Sequence, residues 1–255
     1  MDVTLDGKGG IAVPAVSRHT IPHEMISSTG EVLFDYIADF IRQFFEKHHI
    51  DACGEHNLAF TFSFPVEQRS IDSGILFGWT KNFTASGVAG KDVVVMLSDA
   101  LKRKNMGTLR VVALANDTVG TLMARRYSDS SCDMGVIIGT GTNACYPEKV
   151  DRLLKCPDFR DSKEMIINME WGGFAGLKMN VYDCALDEAS HNAGLQRLEK
   201  MVSGMYLGEI ARRVIVDMIT RGLLFGGSNL SAFFGEYTLR TEHLSLIAGG
   251  SDFLR

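Results

Sequence analysis

Leu109-Arg110-Val111-Val112-Ala113-Leu114-Ala115-Asn116-Asp117-Thr118 is the stretch on which the fold turns. Six of its first seven residues are apolar, which predicts a buried strand over Leu109–Ala115. The run becomes polar at once, and Thr118–Tyr127 reads as a short helix. A buried strand passing straight into a helix is the unit of α/β architecture, where ligands gather at the carboxyl ends of strands. Asn116 and Asp117 therefore belong at the bottom of a cleft. Asp117 has two readings on this segment alone. Its carboxylate can take a proton from a substrate hydroxyl as a general base, or it can cap the following helix.

Upstream, Leu58–Phe64 alternates large apolar with small or polar residues as a strand does, and Pro65 stops it. Ser63 faces opposite Phe60, Phe62 and Phe64, toward a cleft. Trp79-Thr80-Lys81 adds a hydroxyl and a cation. Asp92–Lys104 is a predicted helix. Ser28-Thr29-Gly30-Glu31 fits a capping box opening another helix, with Ser28 and Glu31 as its two members. That helix carries Val32, Leu33, Tyr36, Ile37, Phe40, Ile41, Phe44 and Phe45 at helical spacing. At the start, Val3–Leu5 and Ile11–Val16 flank the turn-forming Asp6-Gly7-Lys8-Gly9-Gly10, so a hairpin is expected.

Downstream, the polar break at Ser128–Asp133 predicts a division into two lobes. Strands are expected at Met134–Ile138, Asn143–Tyr146 and Met165–Glu170, and a long helix over Met205–Arg221, carrying Leu207, Ile210, Ala211, Val214, Ile215, Met218 and Ile219, ends at Gly222. Gly139-Thr140-Gly141 joins the first two of these strands. Its glycines let N–H groups approach phosphate oxygens, but the same residues also suit an ordinary hairpin. Ala144-Cys145-Tyr146 continues as a strand, whereas the Walker loop and the dinucleotide fingerprint both need a helix there. Glu170 beside Trp171 offers acceptors for hydroxyls and an apolar face for a ring. An exposed carboxylate at a strand end is the plainer reading.

Composition sets the outer bounds. Hydrophobic residues are 45% and charged residues 22%, the usage of an ordinary globular chain. Twenty-six Lys and Arg against 31 Asp and Glu give a net charge of −5, which argues against a nucleic-acid partner. No apolar run has the length of a membrane span, and Met1–Gly7 lacks the basic and apolar blocks of a signal peptide. A soluble, cytoplasmic protein is expected. Five cysteines, Cys53, Cys132, Cys145, Cys156 and Cys184, form no C-x-x-C pair and are read as free, mostly buried thiols. There is no H-E-x-x-H, and no metal site is assigned; His48, His49 and His56 read as a solvated helix end and loop.

Taken together the polar segments are far more specific than any one of them. Phe62-Ser63-Phe64-Pro65, Trp79-Thr80-Lys81, Ala115-Asn116-Asp117-Thr118, Gly139-Thr140-Gly141-Thr142-Asn143-Ala144-Cys145-Tyr146, Asn168-Met169-Glu170-Trp171-Gly172 and Gln196-Arg197-Leu198-Glu199-Lys200-Met201 occur in one order. That order resembles the eukaryotic hexokinase family, from about Val3 to the last residues. The resemblance implies an α/β fold of two actin-like (ribonuclease H-like) lobes. Residues 1–131 would form the small lobe and 132–255 part of the large lobe. It implies ATP, with Mg2+ carried by the nucleotide, and transfer of a phosphoryl group to the 6-hydroxyl of a hexose. Glucose is the first expectation, with mannose and fructose as alternatives. By the same resemblance Ser63, Thr80, Lys81, Asn116, Asn143, Glu170 and Glu199 bind the sugar, with Gln196 close by. Asp117 is then the base, and Gly139, Thr140 and Gly141 are part of the ATP-phosphate loop.

Small departures, such as Pro147 after Ala-Cys-Tyr, are tolerable. Two are larger. The resemblance leads one to expect an Asp-x-Gly-Gly-Thr-x-x-Arg loop before the Val3 strand, and an adenosine-binding segment after Arg255; neither is in these 255 residues. The first strand would then lack a neighbour. Three readings are left open: an active hexokinase of which this is an incomplete piece, a non-catalytic hexose-binding protein, and a remnant that folds but binds nothing.

Overall fold

The computed structural model describes residues 1–81, 83–154, 163–227 and 231–249, which fall into two units divided between Cys132 and Asp133.

The first unit runs β1 (Asp2–Leu5), β2 (Ile11–Ala15), α1 (His23–Ile26), α2 (Gly30–Lys47), β3 (His56–Thr61), β4 (Val66–Ser70), β5 (Ser73–Leu76), α3 (Val93–Arg103), β6 (Leu109–Ala115) and α4 (Asp117–Ser128). β1 and β2 form the expected antiparallel hairpin. Its turn is tied by the Asp6 carboxylate, which accepts from the N–H groups of Lys8 (2.7 Å) and Gly10 (2.8 Å). Those two bonds hold Asp6 below the usual carboxylate range. β3 and β6 are parallel, and β4 and β5 are antiparallel. α2 and α3 cover this framework. Leu33, Phe34 and Ala38 of α2 bury with Val93, Leu97 and Leu101 of α3 and with Leu76, Leu109 and Leu114 of the strands.

The capping box is displaced from its sequence reading. Thr29 is the N-cap of α2 and accepts from Val32 N–H at 3.4 Å. The Ser28 hydroxyl instead donates to the Met25 carbonyl at 2.7 Å, because α1 presents that acceptor just upstream. α3 starts one residue later than expected, with Asp92 as its N-cap accepting from Val94 N–H at 2.8 Å. The histidines near the end of α2 are hydrogen-bonded within the unit: His48 with Ser17, and His56 with the Asp51 carbonyl.

The second unit contains β7 (Gly135–Ile138), β8 (Thr142–Lys149), β9 (Glu164–Asn168), α5 (Val181–Ala189), α6 (Arg197–Val202), α7 (Leu207–Thr220) and α8 (Thr241–Ala248). Its three strands form one antiparallel sheet in the order β7-β8-β9, with Ile138 opposite Thr142 and Cys145 opposite Asn168. α7 departs from its apolar reading. Its fully buried side chains are Glu209 and Arg212, and the aliphatic stripe is only half-buried. Glu209 accepts from Arg212 Nε and Nη2, both at 2.6 Å, from Arg213 Nε at 3.0 Å and from Tyr237 N–H at 2.8 Å. Burial pushes the Glu209 carboxyl up, but the Arg212 bonds and the other donors outweigh it and hold it low.

Cys53, Cys132, Cys145 and Cys184 are free thiols, as expected, but only Cys145 is buried. Cys156 lies outside the described residues. No helix among the described residues is long and apolar enough to cross a membrane.

Candidate functional site

In the first unit, parallel pairing brings the carboxyl ends of β3 and β6 level. Thr61 lies opposite Ala115, and Phe62 N–H donates to the Ala115 carbonyl at 2.8 Å. Ser63 and the Asn116–Asp117 pair therefore leave adjacent strands at one end. The two readings of Asp117 separate here. Asn116 is the N-cap of α4, its Oδ1 accepting from Thr118 N–H at 2.9 Å. Asp117 is the first helical residue. Its Oδ1 also accepts from Thr118 N–H (2.9 Å), and among the described residues no protein donor reaches its Oδ2.

Lys81 sits at a backbone φ of 55° and returns its ammonium to the Ser63 carbonyl at 2.8 Å, 5.5 Å from the centre of the Phe64 ring. The segment before it is fixed by aromatic packing. Trp79 stacks on Phe83 at 5.3 Å, meets Phe64 edge-on at 4.8 Å, and donates its indole N–H to the Ala85 carbonyl at 2.7 Å. Thr80 follows directly and is half-buried, its carbonyl accepting from Phe83 N–H at 3.1 Å. The first unit thus joins Ser63 to Lys81, and Asn116 to Asp117.

In the second unit four of the expected residues surround Thr142 and Gly172. β9 ends at Asn168, two residues short of its sequence reading, and Glu170 follows in the left-handed region at φ 50°. From there Glu170 Oε1 accepts from Asn143 Nδ2 at 3.1 Å and from Asn168 Nδ2 at 2.8 Å, while Asn143 Nδ2 also donates to Asn168 Oδ1 at 2.7 Å. Asn143 is buried within this triangle, and Glu170 is exposed. Glu199 Oε2 accepts from Thr142 N–H at 3.1 Å, and Trp171 Nε1 donates to Thr142 Oγ1 at 3.0 Å. Gly172 is where the pieces crowd together. A Cβ there would lie 2.7 Å from Gln196 Oε1, 3.2 Å from Glu199 Cβ and 3.3 Å from the Thr142 carbonyl oxygen. A side chain there would push Gln196 away and press on Glu199 and the Thr142 backbone.

Asn168 and Thr142 are members of this cluster that the residue-level reading did not single out. The signal for Asn168 was its spacing from Glu170, two residues on in a strand-like run and so on the same face.

Gly139-Thr140-Gly141 is the tip of the β7–β8 hairpin, with Gly139 N–H donating to the Gly141 carbonyl at 2.9 Å. The tip is gripped from outside. Gly204 N–H donates to the Gly139 carbonyl at 2.7 Å and Met205 N–H to the Thr140 carbonyl at 3.2 Å. A Cβ on Gly141 would collide with Glu199 Oε2, and one on Gly204 would lie 2.9 Å from the Gly139 oxygen. Thr140 is exposed, and neither its N–H nor its hydroxyl donates to a protein group among the described residues. The hairpin reading is correct as geometry, and the donors that a phosphate would need remain available on it. Among the described residues no three His, Cys, Asp or Glu side chains could hold a metal ion.

Behind the cluster, Tyr206 is 5% exposed. Burial first, then the negative charge of Glu199 and the neighbouring Tyr237, push its hydroxyl up to about 12. It stays protonated at any physiological pH.

Two models of protein families, each described as hexokinase, match residues 1–127 and 133–253. The chain belongs to the hexokinase family. Rat (Rattus norvegicus) hexokinase-3 is 44% identical over 242 residues, covering 93% of this chain and 26% of that protein. The chloroplastic hexokinase-4 of rice (Oryza sativa subsp. japonica) is 46% identical over 231 residues, covering 88% of this chain and 45% of that protein. The chain thus spans between a quarter and a half of the length of these curated relatives. Among solved structures, a hexokinase from Schistosoma mansoni complexed with glucose superposes with a TM-score of 0.88 at 35% identity, covering 97% of this chain and 56% of that one. A second hexokinase crystal structure gives a TM-score of 0.71 at 30% identity, with 97% and 54% covered. The fold is therefore the α/β, actin-like fold of hexokinases.

Proposed function

We propose that the protein transfers the γ-phosphoryl group of Mg-ATP to the 6-hydroxyl of a hexose, with glucose as the first candidate and mannose and fructose behind it. The observation that carries this reading is the meeting of Asn143, Glu170, Gln196 and Glu199, drawn from three separate stretches, around Thr142 and Gly172. Carboxylates and amides gathered at that density suit a small polyol, which presents many hydroxyls and no charge. The glucose complex of the Schistosoma mansoni relative points to the same ligand class.

In this reading residues 1–131 supply the small lobe, with Ser63, Thr80, Lys81 and Asn116 as further sugar contacts. Residues 132–255 supply part of the large lobe. Asp117 accepts the proton of the 6-hydroxyl as its oxygen bonds to the γ-phosphorus and the bond to ADP breaks. Its Oδ2 atom, which no protein donor reaches among the described residues, is suited to that proton. Phosphoryl transfer asks the protein mainly for positioning and charge stabilisation. In this reading the exposed Thr140 N–H and hydroxyl, flanked by Gly139 and Gly141, donate to phosphate oxygens. Magnesium would arrive with the nucleotide and neutralise charge on its phosphates. The free thiols agree with a reducing compartment, and a cytosolic site of action is part of the proposal.

The test is a coupled assay of hexose 6-phosphate formation from glucose and Mg-ATP, run on the chain as it stands and with an Asp-x-Gly-Gly-Thr-x-x-Arg segment supplied ahead of it. Turnover is expected in the extended form. Asp117→Asn should lower it by about 10²–10⁴-fold while leaving glucose affinity nearly unchanged. Full turnover in the variant would show that the base is another group. Glucose binding with no turnover in either form would favour the second reading, a non-catalytic hexose-binding protein.

A further inference from the structure

Glu199 and Gln196 sit on α6, which is only six residues long, too short to hold its own direction. Gln196, its N-cap, has a φ of 52° and makes no capping bond with its side chain. All three buried side-chain polar atoms without a partner, among the described residues, lie in this same stretch: Asn192 Oδ1, Arg197 Nε and Ser203 Oγ. Ordinary hydrogen bonding therefore leaves the segment incompletely tied. Beside the backbone bonds from Leu198 N–H to the Phe174 carbonyl (3.2 Å) and from Gly204 N–H to the Gly139 carbonyl (2.7 Å), it is tied by a desolvated ion pair. Lys200, its side chain 1% exposed, donates to Asp187 Oδ1 of α5 at 2.6 Å and to the Asn192 carbonyl at 2.9 Å. Asp187 in turn accepts from Gly194 N–H with both oxygens, at 3.1 and 2.9 Å. The loop from Ser190 to Gln196 is thus held at two points from one charge pair.

We propose that the Lys200–Asp187 pair is a positioning device that sets the rotation of α6, and so aims Glu199 at Thr142 and Gln196 at Gly172. Successive side chains on a helix diverge by about 100°. With Lys200 drawn inward to α5, its neighbour Glu199 must face the β7–β8 hairpin, where its carboxylate meets Thr142 N–H. The loop fixed at Asn192 and Gly194 delivers Gln196 two residues later. Neither Lys200 nor Asp187 needs to touch the sugar. The inference rests on the reading of Glu199 and Gln196 as hexose ligands.

The experiment is glucose calorimetry on the full chain with four proteins: unaltered, Lys200→Met, Glu199→Gln, and the two changes combined. Lys200→Met is expected to weaken glucose by about tenfold to a hundredfold, the scale of a misplaced ligand-binding group. Added to Glu199→Gln, it should cost much less than it does alone, because the contact it positions is already gone. Effects that add in full, or an affinity for folded Lys200→Met equal to that of the unaltered protein, would overturn the proposal. If the unaltered protein fails to bind glucose, the functional reading fails first and takes this one with it. Should Lys200→Met not fold, amide exchange on the unaltered protein decides. Glucose should slow exchange at Gly194 and Lys200 as well as at Thr142. Protection confined to Thr142 would overturn the proposal.

Discussion

The two units are stabilised in opposite ways. Among the described residues, eighteen hydrophobic side chains are buried in the first unit and six in the second. For buried polar or charged side chains the order reverses, with Thr118 alone in the first unit against Thr142, Asn143, Asp183, Asp187, Lys200, Ser203, Glu209 and Arg212 in the second. The first unit builds its candidate site on the ends of strands fixed by an apolar core, so Asp117 and Ser63 are placed by backbone register. The second draws its site from the start of β8, the loop after β9 and a short helix, and on our proposal a charge pair places the last of these. Non-directional burial tolerates exchange of one apolar side chain for another. A buried ion pair tolerates almost nothing, since removing one partner strands the other.

Substitutions should separate the units. Glu209→Gln leaves Arg212 buried without a counter-charge and should cost about 3–5 kcal/mol. The loss should appear at Trp171, in the second unit, before Trp79 in the first; these are the chain's only two tryptophans. Leu97→Ala opens a cavity in the first unit, where Leu97 is fully buried, and should cost about 2–5 kcal/mol with the order of the two signals reversed. Simultaneous loss of both signals in both variants would mean that the units melt as one.

Acid should distinguish them next. Glu209 and Asp187 both lie below their ordinary values of 4.5 and 3.8, burial being outweighed by Arg212 and by Lys200 respectively. A carboxylate with a lowered folded pKa stabilises above its unfolded value, and that contribution fades as pH falls through the folded one. Below pH 4.5 the second unit should therefore weaken first, with the Trp171 transition at higher pH than that of Trp79. The lowered carboxylates of the first unit, Asp6 and Asp129, lie on exposed turns where solvent screens them. The smallest expected effect is Asn116→Ala, which removes the α4 cap for about 1 kcal/mol. A loss several times larger, read by thermal melting, would show that Asn116 holds more than the helix end.

The same contrast explains what the sequence disclosed. Leu109–Ala115 is the observed β6 residue for residue, because six apolar side chains in a row of seven leave few alternatives. α3 was equally plain, one residue shorter at each end than its reading, with Asp92 and Lys104 as its caps. The capping box slipped by one residue because Ser28 answers to Met25, an acceptor that the four-residue pattern does not include. In α7 the aliphatic spacing did not disclose that Glu209 and Arg212, paired with each other, are more deeply buried than the aliphatic stripe. Nothing periodic links Lys200 to Asp187, thirteen residues away across a loop. The left-handed backbone at Glu170 and Gln196 was equally hidden, as neither residue type favours it. Residue chemistry alone left Asp117, Glu170 and the Gly139–Gly141 turn each with two meanings. The order of the motifs, as a family resemblance, chose between them.

The most direct measurement is a glucose titration followed by the fluorescence of Trp171, in a Trp79→Phe background. Trp171 is hydrogen-bonded to Thr142, which also holds Glu199, so an occupied site should perturb the indole. A saturable change that is abolished by Glu199→Gln is expected. A flat response into the high millimolar range, from protein shown to be folded, would contradict it.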